Sequence, residues 1–228
     1  MQRTPVRIAA VALGIALSAT ACGSSDKSAS PGSPSASATT GTVGLEATTT
    51  KAVTLRAGLT YLLEEHVQLA GIATGTALAK KGNLKDPAVK AAVASLDANS
   101  VALSKAVGSA YPKAEAPFLD SWRQHIGFFV DYTLGKATMS DAKVTKAKAD
   151  LDGYRTSFGQ LINSVVPELP ADAVANELTP HVASLFAAID AVVAGDASAF
   201  GKLQAAAGHM PGAAGTLAGG IAQNLKLG

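Results

Sequence analysis

The sequence predicts an all-α domain, an up-and-down bundle of about six helices built from three αα-hairpins. Three observations carry this. From Lys51 onward apolar residues recur at three- and four-residue spacing, and no segment alternates with period two. The periodic stretches are punctuated by helix stop and start signals at Gly82-Asn83, Asp86-Pro87, Pro112 and Pro167. A histidine set in a fixed apolar frame also occurs three times along the chain.

The elements follow in order. Leu55, Leu59, Leu62, Leu63, Val67 and Ala70 give the first helix its stripe, which Gly82-Asn83 ends. Asp86 is a cap and Pro87 occupies the first helical position of the second helix, which carries Val89, Val93, Leu96, Leu103 and Val107 up to Tyr111-Pro112. A third helix is expected from about Ala116 to Leu134, with Phe118, Trp122, Ile126 and Phe129 on one side. Ser140-Asp141 opens a fourth, which runs through Leu151, Phe158 and Ile162 toward Pro167. The fifth spans Ala171 to Val193, with a kink expected at Pro180. The sixth starts near Ala197 and carries Leu203, Met210, Leu217 and Ile221, with Pro211 inside it.

The repeat centres on His66, His125 and His181. Seven residues before each stand Leu59, Phe118 and Val174, and three before stand Leu63, Trp122 and Leu178. One residue after come Val67, Ile126 and Val182, and four after come Ala70, Phe129 and Leu185. The partner helices align as well, through Asn99, Tyr154 and His209, and Pro112 and Pro167 follow Asn99 and Tyr154 at equal distance. At about 100° per residue each histidine falls roughly 60° from the mean of its apolar neighbours. This places it at the border of the buried stripe, facing the cleft between helices.

Two roles follow from such a position. If the hairpins pack about one axis, His66, His125 and His181 converge and suit zinc or copper, with Glu65 as first-shell or orienting carboxylate and His209 as a further nitrogen. Otherwise each histidine bonds a partner helix, through Asn99 or Tyr154, and sets the packing. Asp120 and Asp131 flank His125 out of phase with it. No HExxH and no repeated Glu-x-x-His pair is present, and no nucleotide loop or nucleophile elbow appears. The sequence thus points away from the common enzyme classes. Trp122, Phe128, Phe129 and Tyr132 form an aromatic group expected in the core, with a ligand patch as the alternative. Gly58, Gly71 and Gly75 are expected to admit close helix approach, as is the small-residue stretch from Gly212 to Gly220.

The N-terminal part is read as an address. Arg3 and Arg7 precede an apolar run from Ile8 to Leu17, and small residues lead to the only cysteine, Cys22. The layout resembles the lipobox of bacterial lipoproteins, with Ala19 in place of the usual aliphatic residue. The resemblance implies a signal peptide over residues 1–21, a diacylglyceryl group on Cys22, and a chain held at the extracytoplasmic face of the cell membrane. Residues 22–50, rich in Ser, Ala, Gly and Thr, form an expected disordered tether before a bundle domain over residues 51–228. The full chain has 19 basic and 17 acidic residues; without Arg3 and Arg7 the balance is 17 to 17, which speaks against a nucleic-acid partner.

The folded part resembles an uncharacterised family of all-helical bacterial proteins. The matching residues are Glu65-His66-Val67, Gln124-His125-Ile126, His181-Val182, His209-Met210 and Gly220-Ile221-Ala222-Gln223. Gln124 and Tyr154 depart from its pattern, which has an acid and an asparagine there. The resemblance implies family membership without an activity, so the expected function is a binding or interaction module for an unknown protein or small molecule, the alternative being a zinc- or copper-binding envelope protein.

Overall fold

The computed structural model describes residues 46–227, which lie in one compact unit. The expected signal segment, Cys22 and most of the expected tether lie outside the described residues. From Lys51 onward, seven α-helices follow one another among the described residues: α1 (Lys51–Ala79), α2 (Pro87–Ala110), α3 (Glu115–Ala137), α4 (Asp141–Val165), α5 (Ala171–Ala194), α6 (Ala199–Gly208) and α7 (Met210–Leu225). One 3₁₀ turn, Pro112–Ala114, joins α2 to α3, and no strand occurs among the described residues. The all-α, up-and-down bundle is therefore the fold.

Local chemistry sets the boundaries. Thr50 caps α1 by accepting from the Val53 amide, and Asp86 caps α2 by accepting from the Ala88 amide at 2.9 Å, with Pro87 inside the first turn. The α1–α2 turn closes through Lys81 and Gly82, both at positive φ, with the Gly82 amide donating to the Ala77 carbonyl. Gly195, at φ 68°, ends α5 in the same left-handed way. Pro180 does not interrupt α5. Pro211 does act: the expected sixth helix breaks at His209 into α6 and α7. A proline there supplies no amide for the turn before it, and its ring crowds the carbonyl four residues back.

Two features of the packing position the site. First, the bundle closes. α1 packs on α2 and on α7, α3 on α4, and α5 on both α4 and α6. At one end, the Tyr111 hydroxyl donates to Asn224 Oδ1 at 2.8 Å, and Asn224 Nδ2 donates to Glu168 at 2.8 Å, tying α2, α7 and the α4–α5 loop together. Second, the three histidine-bearing helices α1, α3 and α5 also touch one another, so they form the inside of the closed arrangement. Leu59, Phe118 and Val174, the equivalent residues one turn pair before each histidine, are all buried there.

Not every small residue serves close packing. Gly71 lies directly against Leu203 of α6, Gly159 against the Ala171 carbonyl, and Gly220 against Leu169, so side chains there would collide with neighbours. Gly58 and Gly75, expected to do the same, face open space.

Candidate functional site

His66 on α1 and His125 on α3 meet in the middle of the bundle. Their Nε2 atoms are 3.3 Å apart and their ring centroids 5.3 Å apart. The closing of the ring decides this: α1 and α3 belong to different hairpins, and an open row would have kept them apart. His181 on α5 lines one cavity together with the pair. The Phe129 ring stands edge-on near both His125 and His181, at 6.3 and 6.4 Å between centroids.

All three imidazoles are fully buried, with 2%, 4% and 6% of their surface exposed. The border position read from the helical phase is thus corrected. The phase of a single helix measures only the stripe facing its own hairpin partner, whereas the flank carrying the histidine is covered by helices of the other hairpins. Burial has an electrostatic consequence. Desolvation pushes His66 down to about 3 and His181 down to about 4, and holds His125 well below the usual histidine range. The nearby imidazoles add to the effect for each, His209 being the neighbour that acts on His181. All three are neutral at ordinary pH.

Two neutral imidazoles hold two N–H groups and two lone pairs between them. The Nε2 contact uses one of each, so the two Nδ1 atoms are left as one donor and one acceptor, both buried without a hydrogen-bond partner. Asn99 and the Trp122 carbonyl approach His66 and His125 and raise their basicity, yet neither closes a bond of normal geometry to Nδ1. Four further buried polar atoms nearby share this condition: His181 Nδ1, Trp122 Nε1, the Tyr154 hydroxyl and Asn99 Oδ1. A buried, unpartnered polar atom costs about 1–3 kcal/mol. Six in one protein centre are an unusual concentration.

The aromatic surroundings are tight. Trp122, the sole tryptophan, packs edge-on to His66 at 5.0 Å and to His125 at 4.6 Å, while stacking on Phe118. Tyr154 of α4 stacks on His125 at 4.9 Å with its ring face; its hydroxyl lies near Ser121 but closes no bond. The expectation that Tyr154 bonds a histidine is therefore replaced by ring stacking.

The other proposed ligands are placed elsewhere. Glu65 is occupied on both oxygens, accepting from the Tyr61 hydroxyl at 2.8 Å and from Asn99 Nδ2 at 2.8 Å. Asn99 Nδ2 also donates to the Leu62 carbonyl, which turns its amide oxygen toward the interior. His209 sits exposed at the α6–α7 break. Among the described residues no group of three or more His, Cys, Asp or Glu is arranged to hold a metal ion. Of the residues expected to converge, His66 and His125 touch, His181 lines one cavity with them, and Glu65 and His209 are placed elsewhere.

Two apolar cavities meet at this pair. One, of about 70 Å³, lies between α1, α2 and α3, with Leu185 of α5 at its wall; the other, of about 30 Å³, lies between α1, α3, α4, α5 and α7, and His66, His125 and Phe129 line both. The larger one is a feature that the motif reading missed. Its signal was in the sequence, as Ala70, Ala73, Thr74 and Ala77 place small side chains along one face of α1. Comparisons with protein-family models, curated proteins and solved structures find no match for the chain.

Proposed function

We propose that this chain is a membrane-anchored, extracytoplasmic, non-enzymatic binding module whose ligand site is the bundle interior at His66 and His125. One observation carries the reading: six buried polar atoms lack hydrogen-bond partners, two of them on a pair of neutral imidazoles that line two cavities. A core selected only for stability has no use for this arrangement, since apolar side chains of similar size would cost less. Stability surrendered at one place is the usual mark of a site kept for function. The anchor rests on Arg3, Arg7, the Ile8–Leu17 run and Cys22.

The test separates function from packing. The double variant His66→Leu/His125→Leu is expected to be more stable than the natural chain by about 1–4 kcal/mol, read as a rise of several degrees in the unfolding midpoint. A fall in the midpoint would mean that the histidines serve packing, and the reading would be lost. For the anchor, the chain is expressed with an alkyne-tagged fatty acid beside a Cys22→Ala control; label retained in the control defeats the lipoprotein reading.

A second reading, a His-ligated zinc or copper protein, has its own supporting observation. With metal–nitrogen distances near 2 Å, two donors 3.3 Å apart can bind one ion. Among the described residues no group of three or more His, Cys, Asp or Glu completes such a site. Elemental analysis of the purified chain beside the His66→Leu/His125→Leu variant decides it: metal bound in proportion to protein, and lost in the variant, supports it, whereas absence from both rules it out.

A further inference from the structure

The two ends of the bundle are built differently. The turns of the three αα-hairpins, α1–α2, α3–α4 and α5–α6, lie at one end, where the C-terminal ends of α1, α3 and α5 line a single open groove. We propose that this turn end is a docking face for an anionic lipid surface, with Leu84, Met139 and Phe200 entering the interface and lysines meeting the headgroups. The proposal goes beyond the interior site and builds on the membrane anchor proposed above.

Each hairpin turn presents one large apolar side chain to solvent. Leu84 is 44% exposed in the α1–α2 turn, Met139 92% in the α3–α4 turn, and Phe200 82% in the first turn of α6. The connections at the opposite end do the reverse: Ala114, between α2 and α3, and Val166 and Leu169, between α4 and α5, are all buried. Single exposed apolar residues are ordinary, but one on every turn of the same end is a patterned surface. Met139 also sits at φ 54°, a left-handed position that glycine or asparagine fills at least cost, so a large apolar residue there serves neither turn nor core. The charge complements an anionic lipid. Lys81, Lys85 and Lys143 of this end enter no ion pair among the described residues. The acids are mostly engaged: Asp86 by Lys80, Asp190 by Lys136 and Asp196 by the Ser198 amide, which leaves Asp141. Separate apolar tips among free cations suit a fluid interface, which needs no matching contour, better than a protein partner. On the anchor reading the surface is also within reach. About 28 residues lead from Cys22 to α1 and stretch to at most about 90–100 Å, twice the roughly 43 Å length of the 29-residue α1.

The test uses the chain from Gly23 onward, which carries neither lipid nor cysteine and keeps the whole compact unit. It is sedimented with vesicles of phosphatidylcholine in which phosphatidylglycerol rises from none to about half. Binding is expected to grow with the anionic fraction and to weaken as salt is raised. Lys81→Gln should weaken it about fivefold, and Met139→Ser and Phe200→Ser about tenfold each. All three side chains are exposed, so these variants keep the fold, which circular dichroism checks. Because the chain carries no other cysteine, a fluorophore on Met139→Cys should shift to the blue with vesicles, while one on Leu225→Cys, at the opposite end, should not. No binding to anionic vesicles, equal binding to uncharged ones, a shift confined to the Leu225→Cys label, or undiminished binding of Met139→Ser/Phe200→Ser would each overturn the proposal. A dimer that this double variant dissolves would assign the turn end to a second copy and overturn it too. The two membrane readings fail separately. Fatty-acid labelling without vesicle binding keeps the anchor and removes the docking face, whereas vesicle binding without labelling keeps the face and removes the anchor.

Discussion

Tyr132 and Tyr154 are both buried aromatics with a hydroxyl to satisfy, and the bundle treats them in opposite ways. Tyr132, on α3, donates to Asp190 of α5 at 2.8 Å; Lys136 holds the same carboxylate at 3.0 Å, and Lys148 of α4 lies over the Tyr132 and Phe186 rings. Every polar group in that corner has a partner, and the polar end reaches solvent through Asp190. Tyr154, on α4, stacks on His125 in a centre where its own hydroxyl, both Nδ1 atoms of the pair and the Trp122 indole nitrogen have none. A satisfied polar network adds specificity to a core at little cost, whereas an unsatisfied one is a standing charge against stability. The difference teaches where this protein spends its stability.

Acid should open the contrast most widely. The three imidazoles have folded-state pKa values below the ordinary histidine value of about 6.5, so the unfolded chain binds more protons as pH falls beneath it. Their contribution is complete above about pH 6.5 and is lost progressively as the pH drops toward 4, with a limiting slope of about 4 kcal/mol per pH unit for three protons. Denaturant midpoints measured from pH 7 to 4.5, above the range where most carboxylates titrate, should show this loss. In His66→Leu/His125→Leu the slope should fall to that of one proton; a slope unchanged in the variant would mean that other groups govern the acid response.

Tyrosine-to-phenylalanine changes come next in size. Tyr132→Phe removes a bond to a charged acceptor and should cost about 1.5–3 kcal/mol, read by chemical denaturation. Tyr154→Phe removes a hydroxyl without a partner and should be neutral within about 0.5 kcal/mol or stabilising. Equal losses at the two positions would erase the distinction between the corners. The smallest effect belongs to Lys148→Met, which keeps the aliphatic stem and removes the cation over the two rings; about 0.5–1 kcal/mol is expected, diminishing little with salt if ring contact is its source.

The sequence by itself determined the fold class, the main helix boundaries and the three equivalent histidines. These depend on local rules: apolar spacing along one helix, Asp86 and Pro87 at a start, Gly82 and Gly195 at ends. The same rules left the site unresolved. Helical phase put the histidines at the border of a stripe, because it contains nothing about helices from other hairpins. Tertiary structure decided that the ring closes through α7 on α1, that His66 and His125 meet at 3.3 Å, and that His181 lines one cavity with them. It also decided that Glu65 is engaged by Tyr61 and Asn99, and that four small residues of α1 face a void. The physical reason is common to all of these. Whether a buried polar atom has a partner depends on side chains brought together across the fold, and no periodicity within one helix encodes them.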